Sequence, residues 1–163
     1  MTTPGEWVSG LRSDDPAKRL AAAEYFSTAG DAVWGALPEL LDAMQFEDEA
    51  AEYAVAALEE AGAPPVESLA IVESRLNGPG ELTAYWSATL LGRAESNAVS
   101  SIPALCQLIT ENKHSAATER GVWAIGRIGA TTPEAIAVLQ QCTKSSSPRM
   151  VRLATTALQP VKS

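Results

Sequence analysis

Histidine, the side chain most often used to move protons at neutral pH, occurs once in this chain, at His114. A metal cage built on imidazole, or a Ser-His-Asp arrangement, would therefore rest on one residue, and a helix-start turn is the plainer reading of it. Asn77-Gly78-Pro79-Gly80 is glycine-rich, but no Lys-Ser/Thr follows it to hold a phosphate, so it reads as a turn between helices. Glu47-Asp48-Glu49 lacks the glycine and spaced ligands of a calcium loop and suits a helix N-terminus, where negative charge meets the positive end of the dipole. Cys106 and Cys142 form no C-x-x-C pair and read as buried free thiols. The expectation is a protein with no catalytic residue, no metal and no cofactor. What remains is non-covalent recognition. Tyr53, Tyr85, Trp86 and Trp123 occur among Glu52, Glu59, Glu119, Arg120 and Arg152, and aromatic faces beside charges can grip the Lys or Arg side chains of a peptide.

The elements that must position these residues follow from a repeat. The ends of helical segments carry one phrase, Ala29-Gly30, Ala61-Gly62, Ala94-Glu95, Ile128-Gly129 and Val161-Lys162, with steps of 32, 33, 34 and 33 residues between second members. Each repeat is one helix pair. Such a pair cannot bury its apolar face alone, so copies must stack into a solenoid. Asp15-Pro16, Thr132-Pro133 and Ser147-Pro148 each place a capping side chain before a proline at the first helical position. The second helices are expected at Pro16–Ala29, Glu47–Ala61, Pro79–Ala94, Ala116–Ile128 and Pro148–Val161. The first helices are expected at Glu6–Arg12, Ala32–Met44, Val66–Leu76, Ala98–Glu111 and Pro133–Cys142. Pro38 and Pro103 fall eight residues after Gly30 and Glu95, which predicts a bend inside two first helices.

With 163 residues, 46% hydrophobic and few aromatics, the composition suits closely packed helices in a single domain. The start, MTTPGEWVSG, has no basic and apolar leader pattern, and no run of about 18 uncharged apolar residues occurs, so a cytoplasmic protein is expected.

Asp14-Asp15-Pro16 followed by Arg19, the prolines Pro38 and Pro103, and the closing phrases Leu90-Leu91-Gly92-Arg93-Ala94 and Ala124-Ile125-Gly126-Arg127-Ile128-Gly129 together resemble HEAT repeats, including the shorter HEAT-like type of phycobilisome lyases. The W-x2-L-G-x2-Y pattern of tetratricopeptide repeats is absent. The resemblance covers nearly the whole chain. It implies an all-α solenoid of about five helix pairs, with repeats near 5–30, 31–62, 63–95, 96–129 and 130–162 in one domain over 1–163. It also implies a ladder of Asp–Arg contacts, but the register of Arg19 holds Ala51, Ala84, Thr118 and Val151 in later repeats, so the ladder is expected only at the first step.

The resemblance further implies that second helices form the concave face. Counting back six from Phe26, Leu58, Leu91, Ile125 and Leu158, the expected core series, selects Leu20, Glu52, Tyr85, Glu119 and Arg152. Counting back two selects Glu24, Ala56, Thr89, Trp123 and Thr156, one turn away on the same face. With the neighbouring register, the candidate protein-binding residues are Glu52, Tyr53, Glu59, Tyr85, Trp86, Glu119, Arg120, Trp123 and Arg152. The alternative for Trp86 and Trp123 is packing between repeats, and Trp7 and Trp34 are expected in the core.

Charge narrows the partner. From Leu20 through Ser74 there are twelve acidic residues and no Lys or Arg, whereas Arg75 to Ser163 holds nine basic residues and five acidic ones. An acidic first half attracts basic partners and repels phosphate backbones. The leading expectation is a non-enzymatic scaffold that binds a protein or peptide with basic residues on its concave face; nucleic acid and membrane are not expected partners. The alternatives are a HEAT-like enzyme or lyase subunit, which the resemblance to bilin lyases and helical-repeat DNA glycosylases brings in, and a self-assembling module in which the acidic end of one copy meets the basic end of the next.

Overall fold

A computed structural model of the chain describes residues 2–160, and among these the regular elements are helical, with no strand. The helix starts follow the capping chemistry. At α1 (Pro4–Leu11) the Glu6 N–H donates to Thr3 Oγ1 at 3.2 Å while the Thr3 N–H donates to Glu6 Oε2 at 2.6 Å, a reciprocal cap. Asp15 and Asp48 accept from the N–H groups of Ala17 and Ala51 at 3.0 and 3.1 Å, opening α2 (Pro16–Phe26) and α4 (Glu49–Ala61).

First helices are less regular than expected. Short 3-10 stretches, Gly30–Ala36, Val66–Ser68 and Glu95–Ser101, precede α3 (Leu37–Ala43), α5 (Leu69–Ser74) and α7 (Ile102–Glu111). Pro38 and Pro103 lie in the first turn of α3 and α7, not inside a helix, so they bend nothing there: a proline in the first turn forfeits no intrahelical bond. The break falls upstream instead, at Ala36 (φ −118°, ψ 13°) and Ala98 (φ −97°, ψ 17°).

The residues that close the repeats share a positive φ. Gly30, Gly62 and Gly129 have φ of 60°, 77° and 117°, and Glu95, which occupies the same register, has φ 52°. Each of the four described copies therefore turns on a residue with positive φ, where glycine is favoured and Glu95 is strained. The final copy, Val161-Lys162, lies outside the described residues.

Packing divides the chain into two compact units, Met1–Pro64 and Pro65–Ser163. In the first unit α2 packs against α1 and α4, and α3 against α4. Ala22, Ala23 and Ala54 are fully buried, and small side chains there let the helix axes approach. Arg19 is buried and reaches the next repeat: its guanidinium donates to Asp48 Oδ2 and to the Ser13 carbonyl, both at 2.9 Å, and stands 4.1 Å from the Phe46 ring centre. This is the expected first step of the Asp–Arg ladder. Thr118, in the same register two repeats later than Ala51, has a buried hydroxyl with no hydrogen-bond partner. Arg12 and Glu39 form a second ion pair in this unit.

In the second unit α6 (Glu81–Arg93), α8 (Ser115–Ile128) and α10 (Pro148–Ala157) lie side by side, α8 touching both others. Behind them α5 packs on α6, α7 on α8, and α9 (Pro133–Cys142) on α7 and α10. Thr132 and Ser147 cap α9 and α10 by accepting from Ala135 and Met150 N–H at 3.1 and 3.3 Å. His114 stands at the N-cap of α8 without a side-chain cap bond, and Glu81 substitutes for it from the preceding repeat, accepting from the Ala116 N–H at 3.2 Å. The start of α6 is Glu81, not Pro79, because Gly80 takes φ 94°. Similarly α4 starts after Glu47, whose φ is 52°.

Of the expected core series, Phe26, Leu58, Leu91 and Ile125 are at most 2% exposed, while Leu158 is half-buried just beyond α10. Truncating any of the first four would cost about 2–5 kcal/mol. Of the two thiols, Cys106 is buried and Cys142 half-buried. Burial, with the Glu134 charge adding to it, pushes the Cys106 thiol up to about 11.

Candidate protein-binding site

Tyr85 on α6 and Arg120 and Trp123 on α8 meet where these two helices run together. The Arg120 guanidinium lies 3.9 Å from the Trp123 ring centre and 5.1 Å from that of Tyr85. Its Nε–H donates to Thr89 Oγ1 at 2.8 Å, and the Thr89 hydroxyl donates to the Tyr85 carbonyl at 2.8 Å. The cation is thus fixed by a hydrogen bond and flanked by two π faces, each contact worth on the order of 1 kcal/mol. Burial pushes the Arg120 pKa below its ordinary value; Tyr85 opposes this, and the charges of Arg93 and Arg149 add to it.

Two glycines shape the surface beside this cluster. A Cβ on Gly92 would overlap the Trp123 ring, so α6 admits the indole only because that position carries no side chain. A Cβ on Gly126 would lie 2.9 Å from Ala157 Cα, which makes Gly126 the point of close approach between α8 and α10. Both glycines stand at one register of the closing phrase, just before Arg93 and Arg127.

Between α8 and α10 runs a groove of about 730 Å³, lined by Trp123, Arg127, Arg149, Arg152 and Leu153 among others. A smaller hollow of about 150 Å³, lined by Tyr85, Glu119, Arg120, Trp123, Arg149 and Leu153, adjoins it through Trp123, Arg149 and Leu153. The acids here are paired. Glu119 Oε2 accepts from Arg149 Nε at 2.8 Å, and Glu95 Oε1 from an Arg127 nitrogen at 2.7 Å.

Five of the residues singled out from the sequence, Tyr85, Glu119, Arg120, Trp123 and Arg152, are therefore gathered on this one surface. Trp86 is not presented there: it is 6% exposed, 6.0 Å edge-on from Tyr85, with the Arg93 guanidinium 5.4 Å from its ring centre. Adjacent helical residues differ by about 100° in direction, so with Tyr85 only half-buried its neighbour turns into the core. Glu52, Tyr53 and Glu59 lie on α4 in the first unit, the two glutamates exposed and Tyr53 half-buried. Trp7 and Trp34, expected in the core, are both half-buried, and Trp7 stacks on Tyr25 with ring centres 4.9 Å apart.

Sequence reasoning missed Arg149, Leu153 and Arg127 as lining residues. A signal existed for Arg127, which shares its register with Arg93 in the closing phrase. Nothing in the repeat marks Arg149 or Leu153, because α10 enters the groove by its contact with Gly126. Among the described residues no three His, Cys, Asp or Glu side chains group as a metal site, and no helix is long and apolar enough to cross a membrane.

Comparison with solved structures finds the same architecture in designed proteins. A designed armadillo repeat protein in complex with the peptide (KR)4 is 16% identical, with 96% of this chain and 80% of that one covered at a TM-score of 0.61. A computationally designed armadillo repeat protein for modular peptide recognition is 18% identical over the same shares of the two chains, at a TM-score of 0.59. At these identities the likeness shows the fold, an all-helical repeat solenoid. None of the curated proteins matches the chain. The HEAT repeats family matches residues 69–159, more than half of the chain, with α6, α8 and the cluster of Tyr85, Arg120 and Trp123 inside the matched span. The chain is a member of the HEAT repeat family.

Proposed function

We propose that this chain is a non-enzymatic interaction module that binds a protein or peptide segment on the surface of its second helices. The observation that carries the reading is Trp123: half-buried, braced by Arg120 and by the space over Gly92, it stands where an open groove and a smaller hollow meet. A pre-ordered aromatic in a partly desolvated setting loses little entropy on binding, which is the usual character of an energetic anchor. The designed relatives support the same use of the fold, since one was solved with a bound peptide. A preference for Lys or Arg in the partner attaches to α4, where Glu52 and Glu59 are exposed and no basic residue occurs from Leu20 through Ser74.

Selection from a random displayed-peptide library tests this. Enriched peptides should bind the protein saturably, and Tyr85→Ala and Trp123→Ala should each weaken them at least tenfold. Because both rings are half-buried, each change should cost less stability than the roughly 3–5 kcal/mol of a fully buried aromatic. Failure to enrich any peptide, or peptides indifferent to both substitutions, would overturn the reading.

A further inference from the structure

The charge of the groove is opposite to that of the chain. The whole protein carries a formal −8, yet among the described residues the groove and hollow of the second unit are lined by Arg120, Arg127, Arg149 and Arg152 against Glu95 and Glu119. Each acid already holds an arginine, Glu95 with Arg127 and Glu119 with Arg149. Two guanidiniums are left over. Arg152 is exposed on the groove wall, and Arg120 meets only neutral partners there, the two rings and Thr89. Arg93 and Arg149 add further positive potential at Arg120. A solvated surface disperses like charges, so cations gathered at this density around an open cavity favour an incoming anion. Leu153, Ala157, Pro160 and the Trp123 ring supply apolar wall beside them, and about 730 Å³ lies within the range of small-ligand and short-peptide sites.

We propose that the groove between α8 and α10 receives an acidic segment of a partner protein, its carboxylates on Arg149 and Arg152 and one apolar side chain against Trp123 and Leu153. This rests on the peptide-binding reading above and names the chemistry of the segment at this site. Arginine suits the task because its planar fork can hold a carboxylate through two parallel hydrogen bonds. The Arg149–Glu119 pair is itself exchangeable, since Arg149 is largely exposed and a surface ion pair contributes little. A peptide carboxylate can therefore share that guanidinium at small cost.

The probe is a fluorescein-labelled decapeptide of Asp and Glu around a central Leu-Phe pair, titrated with the whole chain and followed by anisotropy. The comparison ligands are the same peptide with Asn and Gln in place of the acids, the peptide (KR)4, and a single-stranded oligonucleotide of similar length. The acidic peptide is expected to bind at least tenfold more tightly than its amide version. Arg152→Glu and Arg149→Gln should each weaken it about tenfold or more, with unchanged circular dichroism; Arg152→Ala, a milder surface change, should weaken it by a smaller factor. Equal binding of the acidic and amide peptides, indifference to Arg152→Glu, or tighter binding of (KR)4 or the oligonucleotide would overturn the proposal. So would a concentration-dependent dimer, dissolved by Arg152→Glu, that excludes the acidic peptide, since the groove would then be occupied by a second copy. If library-selected peptides bind through Trp123 but lack acids, this proposal falls and the peptide-binding reading stands; if no peptide of any kind binds, both fall.

Discussion

Arg19 and Arg120 both reach across from one repeat to a neighbour, and they are held in opposite ways. Arg19 faces a carboxylate, Asp48, and a carbonyl; Arg120 faces two rings and a hydroxyl. The first arrangement is structural, because the charge is neutralised within the fold. The second leaves the charge uncompensated beside a groove, which is the condition for recognition. Their pH behaviour should differ accordingly. Burial alone would raise the Asp48 carboxyl, but the Arg19 hydrogen bond, the Ala51 N–H and the Arg19 charge outweigh it and hold the group below its ordinary value of 3.8. A carboxylate depressed on folding contributes stability that is complete above the unfolded value and is lost as pH falls through the folded one. Asp48→Asn, which keeps a capping side chain, should therefore lower the melting temperature at pH 7, and the deficit should shrink as pH falls below 3.8. A deficit that stays the same as pH falls would show that the Arg19 pair adds nothing.

At the scale of elements, the repeat is defined by its closing turn as much as by its helices. Glu95 adopts φ 52° at a position where Gly30, Gly62 and Gly129 also have positive φ, and a side chain in the left-handed region costs about 1–2 kcal/mol. Glu95→Gly and Glu95→Ala both delete the ion pair with Arg127, so their difference isolates the backbone term. Glu95→Gly should be the more stable by about 1 kcal/mol in denaturant unfolding; equal stabilities would mean that the turn relaxes on substitution. The period that marks this turn also made the second helices legible, since their caps and core residues recur at fixed spacing. The first helices were less so. Pro38 and Pro103 indicated a break at a regular position, but a proline cannot reveal whether it kinks a helix or starts one. The preceding 3-10 turns decide that. Trp86 takes the packing alternative for a related reason: register predicts the direction of a side chain to within one position, and one position separates groove from core.

Across the whole molecule, charge and fold carry different information. Ten of the twelve acids between Leu20 and Ser74 belong to the first unit, whereas Arg93, Arg120, Arg127, Arg149 and Arg152 all belong to the second. Net charge alone would assign a basic partner to the entire chain. The side-chain pairing in the second unit reverses that locally, because Glu95 and Glu119 are each bound to an arginine and two guanidiniums remain. Neither pairing could be read from the sequence, where Glu119 and Arg149 are thirty residues apart and meet only because α10 approaches α8 at Gly126. The central claim is that the second helices carry the binding surface. Backbone and indole chemical shifts of the nitrogen-15-labelled chain, recorded while the acidic decapeptide is added, test it most directly. The Trp123 indole N–H and the amides of α8 and α10 around Arg120, Arg149 and Leu153 should move together and saturate, with α5, α7 and α9 unaffected. Shifts gathered on α5, α7 and α9, or spread evenly over the chain, would contradict the account.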